Sequence, residues 1–422
     1  MGIISTIFYF FTPYTDSREQ AVGLFFKGLN ERRRTARTRT KLGRLLQRNI
    51  AVINLWTEYQ YKGYKYLNKS ERRKLYANLE LIAEDFGRFY ANNAWPAETI
   101  LARASRIAPG QAADAEKIVL LQALMDYFSP LRGKYVYRES SSFGRLLRNP
   151  AHEKLVGDCN QIVTLYIYLY SRYYSVDDLQ LRSVPGHVAL HYAGIDIEAT
   201  NGTFINYSGR EGSKLLPIEE IVSINLLDTT DSYLATHEVA PKAFLQASRL
   251  AFILSHNRTV ATQNLAAAYN RLVNTCMERG DYSQALKYAL ASRSQELLGI
   301  VGHNGAVHEM ERHNYAAARR YAQHALDKDA LTRASWQAEG SHYFDAHNYH
   351  SAIKAFKHSG DKALVGQGYE GLLLQEQKKL GKNPTTDSIK QHARTIHRMH
   401  AYAKKSGNKK LVAYTSDLKR HL

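Results

Sequence analysis

Residues 185–200 read PGHVALHYAGIDIEAT, and this stretch decides the fold class. Val188, Leu190 and Tyr192 alternate with Ala189 and His191, and Ile195 and Ile197 alternate with Asp196 and Glu198. Apolar side chains at every second position are the signature of a strand with one face buried. Ala193 and Gly194 separate the two runs, so a hairpin with a two-residue turn is the economical reading. That turn sets the register: Ala189 faces Glu198, His191 faces Asp196, and His187 faces Thr200. Glu198 is then a diagonal neighbour of His187 on one face, within reach of a long side chain. Asp196 shares the face but stands four strand residues from His187, roughly 13 Å at 3.3 Å per residue.

Upstream, Val156–Gly157–Asp158–Cys159 leads into Ile162, Val163, Leu165, Ile167 and Leu169. The density of apolar residues predicts a buried helix beginning near the cysteine, with Asp158 as its N-cap. A cysteine is a useful nucleophile only as thiolate, a form favoured at a helix N-terminus and beside a histidine. The first condition is met locally at Cys159. The second requires a histidine returned in space, and the hairpin offers His187. A third group must then orient the imidazole. Glu198 is the better placed, with Asp196 as the fallback if the turn differs. The Cys159 backbone N–H is a natural donor to a developing oxyanion. A second donor is to be sought among Gln161, Tyr135 and Tyr137.

GDCNQ (157–161), PGHVALHY (185–192) and IDIEATNG (195–202) together resemble the Cys, His, acid order of the transglutaminase-like superfamily. The last motif resembles that family's D-P-T element, with Glu198, Ala199 and Thr200 in its place: the acid is longer and the proline is gone. The resemblance covers about 100 residues, from Tyr135 to near Leu234. It implies a papain-like arrangement, a nucleophile helix packed on an antiparallel sheet that carries base and acid. It also implies that Cys159 attacks a carboxamide or peptide carbonyl and His187 shuttles the proton, while Glu198 holds the imidazole. The acyl group would pass to water, in a protease or amidase, or to an amine, in a transglutaminase.

The C-terminal third carries a period. Tyr282, Tyr315 and Tyr349 stand 33 and 34 residues apart, each three residues before an alanine (Ala285, Ala318, Ala352), within GDYSQA, HNYAAA and HNYHSA. This spacing resembles the tetratricopeptide repeat, a helix-turn-helix unit of about 34 residues. Trp336, Gly340, Tyr343, Ala352 and Phe356 in the third copy fit that family's large and small positions. Such arrays offer a concave surface to peptides, so the expected partner is a protein or peptide substrate. Cys276 reads as a packing residue, and the histidines of this region as scattered surface positions.

From about Asp16 to Tyr127 the pattern is helical, with Leu79, Leu81, Ile82, Phe86 and Phe89, at spacings of three and four, read as one apolar face. The expectation is therefore an α+β chain in three parts: a helical region over 1–130, a transglutaminase-like domain over 131–240 and an all-α repeat array over 241–422. A chain of 422 residues is long enough for that number of cores.

Lys plus Arg exceed Asp plus Glu by 57 to 39, a net charge of +18, which favours contact with anionic surfaces in general. The densest run is Arg32, Arg33, Arg34, Arg37, Arg39, Lys41, Arg44 and Arg48; it suits phosphates or acidic headgroups, or is simply a solvated helix face. Two cysteines, Cys159 and Cys276, encode no disulfide framework and fit a reducing, cytoplasmic setting. The N-terminal MGIISTIFYFF is too short an apolar run to span a bilayer and reads as a buried or interfacial segment, a route to peripheral membrane association. Gly2 and Thr6 also match the loose N-myristoylation pattern.

No phosphate-cradling loop, dinucleotide fingerprint or paired-carboxylate motif is present, so nucleotide chemistry and a cofactor are not expected. His187 and His191 form an H-x-x-x-H pair, but on a strand they stand too far apart to share one ion, and no metal is expected. Three functional readings stay open: a thiol acyl-transfer enzyme, a transglutaminase-like scaffold that has lost activity and serves protein binding, and a basic membrane-surface or nucleic-acid binder using the Arg32–Arg48 run.

Overall fold

The structure, a computed structural model, describes residue 9 and residues 11–30, 36–110, 113–139, 142–228, 240–381 and 385–422. Gly2, Thr6, Arg32, Arg33, Arg34 and Leu234 lie outside these. The chain is mixed α and β, and it forms two compact units, one up to Ala268 and one from Tyr269 onward.

The first unit opens with α1 (Ser17–Lys27), α2 (Ala36–Tyr61), α3 (Lys69–Asn92), α4 (Ala97–Ile107) and α5 (Ala115–Phe128). Side-chain oxygens set three of the starts: Asp16, Asn68 and Asp114 each accept a backbone N–H of the following first turn. Arg72 of α3 and Glu19 of α1 are both sealed from solvent and pair at 2.7 Å. The Tyr76 hydroxyl donates to the same carboxylate, so charges that could not be buried alone are matched. Along α2, Arg37, Lys41, Arg44 and Arg48 fall on one exposed face, and no ion pair joins them to a carboxylate among the described residues.

β1 (Tyr135–Tyr137) and β2 (Leu155–Gly157) form a short parallel ribbon, with α6 (Phe143–Leu146) between them in sequence; Tyr137 lies opposite Gly157. The chain then enters α7 (Cys159–Tyr170), where Asp158 and Gln161 make a reciprocal capping box. Every residue of α7 after the cysteine is buried, as an all-round apolar helix requires.

A five-stranded sheet follows, built from β3 (Gln180–Val184), β4 (His187–Tyr192), β5 (Ile195–Glu198), β6 (Thr203–Ile205) and β7 (Lys214–Pro217). Its order is β6-β5-β4-β3-β7, antiparallel throughout. His191 faces Asp196 and Tyr192 faces Ile195, the register expected from the Ala193–Gly194 turn. Both turn residues are left-handed, with φ of 46° and 80°, as a twist-matched two-residue hairpin turn demands. α7 packs on β4, and α8 (Glu220–Leu227) and α9 (Pro241–Leu254) complete the unit. One continuous core runs from Val22 to Leu254, so the helices before residue 130 and the sheet share their interior.

α10 (Arg258–Glu278) contains the boundary between the units. Beyond it come α11 (Tyr282–Ser292), α12 (Gln295–Glu311), α13 (Tyr315–Ala322), α14 (Lys328–Asp345), α15 (Tyr349–Ser359), α16 (Lys362–Leu380), α17 (Thr386–Gln391), α18 (Ala393–Ser406) and α19 (Lys409–Arg420). Tyr282, Tyr315 and Tyr349 are the first residues of α11, α13 and α15, so the counted period is a recurring pair of helices. Two residues before each tyrosine the chain turns through a left-handed residue: Gly280, His313 and His347. The last two place Nδ1 at 2.8 and 3.1 Å from the hydroxyls of Tyr315 and Tyr349. Ala285, Ala318 and Ala352 are fully buried. A methyl added at Gly340 would meet the Phe356 ring at 2.4 Å, so the helices pack there without room for a side chain. No helix among the described residues is long and apolar enough to cross a membrane.

Candidate active site

Cys159 opens α7 and is partly exposed at the wall of a cleft of about 600 Å³, whose lining also includes Tyr137, Asp158 and His187. His187 reaches it by a tight turn. Val184 pairs with His187, and between them Pro185–Gly186, with Gly186 at φ 74°, has the residues of a type II turn. That turn ends β3 and presents the imidazole at the head of β4.

The imidazole is held from two sides. Its Nε2 lies 2.6 Å from Glu198 Oε2, and the Cys159 thiol shares the cleft wall with it as a hydrogen-bonding partner. Hydrogen bonding to Cys159, then to Glu198, outweighs burial and pushes His187 up to about 10. Burial of Glu198 opposes its ionisation, but bonds from His187, Thr200 and Tyr207 hold its carboxyl down at about 2. Four donors converge on that carboxylate. Oε2 accepts from His187 and from the Tyr207 hydroxyl at 2.6 Å; Oε1 accepts from the Thr200 N–H at 3.1 Å and hydroxyl at 2.5 Å.

Sequence reasoning named Cys159, His187 and Glu198, and the structure brings these three side chains together. Asp196, the fallback acid, serves elsewhere. It lies 2.6 Å from His191 Nδ1, accepts from Arg182 Nε at 3.1 Å, and takes the Tyr207 N–H at 2.7 Å. His187 and His191 are thus bound to separate carboxylates, and no cluster of three or more His, Cys, Asp or Glu is grouped for a metal ion among the described residues. Thr200 and Tyr207 went unmarked. Thr200 is two residues from the acid, inside the motif already singled out. Tyr207 arrives from beyond β6, where no local pattern announces it.

Chemically, a partly exposed thiol at a helix start, an imidazole against it and an anchored carboxylate behind can form an ion pair and move one proton. No protein-family description, curated protein or solved structure matches this chain.

Proposed function

We propose that this chain is a cysteine-dependent acyl-transfer enzyme of transglutaminase-like type, acting on protein or peptide amides. The observation that carries the reading is His187 bridging the Cys159 thiol at the start of α7 and the buried Glu198 carboxylate at 2.6 Å. Cys159 attacks the amide carbonyl, His187 protonates the departing amine, and the thioester then passes to water or to a second amine. Glu198 keeps the imidazole oriented and stabilises its cationic form. The recurring helix pairs from Tyr282 onward, which resemble tetratricopeptide units, recruit the protein substrate along an extended surface.

The test is iodoacetamide labelling read by mass spectrometry, with Cys276 as the internal control. Cys159 labels faster than Cys276 at about pH 6, and His187→Ala slows it by about 10²-fold. Equal labelling of the two cysteines, indifferent to His187, would leave a protein-binding scaffold in place of an enzyme.

A further inference from the structure

Attack on a carbonyl places negative charge on its oxygen, and such sites gain most from donors already aimed at that oxygen. Cys159 supplies one. Its N–H stands at the first position of α7, where a helix offers no carbonyl of its own to accept it. One donor rarely suffices, and three side chains near the cysteine could add another. Gln161 is buried and committed to the capping box, its Oε1 facing the Asp158 N–H. Tyr135 is buried and donates to the Gly157 carbonyl at 2.9 Å. Tyr137 differs from both. It is 49% exposed and lines the cleft with Cys159 and His187, and its hydroxyl makes no hydrogen bond with any described residue. The parallel pairing of β1 with β2 sets it beside Gly157, two residues before the nucleophile.

Resting on the reading of the site given above, we infer that Tyr137 is a catalytic residue, its hydroxyl donating to the oxyanion of the tetrahedral intermediate alongside the Cys159 N–H. In that step a sulfur electron pair forms the C–S bond and the carbonyl π pair moves onto oxygen. Tyr137 keeps its proton throughout. On collapse the pair returns, the C–N bond breaks and the amine leaves with the proton from His187. Burial, with the neighbouring Cys159 and Asp158, pushes the phenol above its ordinary range, which keeps it a donor while the imidazolium persists.

Two reactions of the same sulfur separate this role from any other. Acetylation by 4-nitrophenyl acetate passes through an oxyanion; alkylation by iodoacetamide does not. Tyr137→Phe keeps the ring and should slow acetylation of Cys159, followed as nitrophenolate release and by mass, by about 10²-fold. The alkylation rate and the urea unfolding midpoint should stay at wild-type values. Unchanged acetylation overturns the assignment, and so does a parallel loss of both reactions, which would place Tyr137 on thiolate formation instead. Failure of the parent reading looks different: Cys159 alkylation in the wild type would be indifferent to His187→Ala.

Discussion

Two histidine–carboxylate pairs sit on the same face of one hairpin, each closed at 2.6 Å, in different surroundings. His191 and Asp196 are both buried, and Asp196 also pairs with the Arg182 guanidinium, so this acid serves the interior of the sheet. His187 and Glu198 are completed by a thiol, and the imidazole keeps 23% of its side-chain surface open to the cleft. The motif is the same in both. What separates them is the third partner and the access of solvent, so a histidine–acid pair alone says little about activity until the atom on its far side is known.

Removing each acid in turn breaks the comparison most directly. Asp196→Ala leaves Arg182 and His191 buried without their anion and should lower the unfolding free energy by about 3–5 kcal/mol in urea titrations. Cys159 labelling in the folded fraction should stay within about tenfold of wild type. Glu198→Gln should do the reverse, slowing labelling by about 10²-fold or more for a stability loss of about 1–3 kcal/mol. Equal losses in both variants by both readouts would mean that the two pairs are not functionally distinct. Smaller changes sharpen the contrast. Tyr207→Phe removes one charged-acceptor bond from Glu198 and should slow labelling by about tenfold, while Thr200→Val, which keeps the Thr200 N–H bond, should cost only about threefold.

Acidity offers a further handle. His187 stands at about 10 in the folded chain against 6.5 when free, so its contribution to stability is complete below pH 6.5 and is lost as pH rises through 10. Glu198 stands at about 2 against 4.5, so its contribution is complete above pH 4.5 and is lost as pH falls through 2. The stability gap between wild type and His187→Gln should therefore be widest from pH 4.5 to 6.5 and narrow towards pH 10. A gap that stays constant over that range in unfolding titrations breaks the pairing.

Much of this site could be read from 16 residues because strands count in twos. Once Ala193–Gly194 is the turn, every cross-strand partner follows, including His191 with Asp196. The start of α7 was equally legible, since a capping aspartate before an apolar run has one common meaning. Long-range choices were not. Arg182 selects Asp196 across the sheet, Tyr207 crosses from beyond β6, and β7 joins β3 across the whole of β4, β5 and β6; none of these follows from a local pattern. In the second unit the tyrosine period was legible as helix starts. The histidines read as scattered surface positions include His313 and His347, which occupy the left-handed corner before a helix, and His313 also stacks on His342 with ring centroids 4.7 Å apart.

The hairpin turn has one more consequence. Because side chains alternate between faces, a slip of one residue at Ala193–Gly194 would replace Glu198 and Asp196 by Ile197 and Ile195 on the working face. Arg182, His187 and His191 would lose their acids together. A chain with the wrong register could not keep a half-correct site, since the error that disarms the thiol also strips the interior of its ionic anchor. The buried pair thus acts as a parity check on the pair at the cleft: molecules stable enough to persist are those in which Glu198 already meets His187.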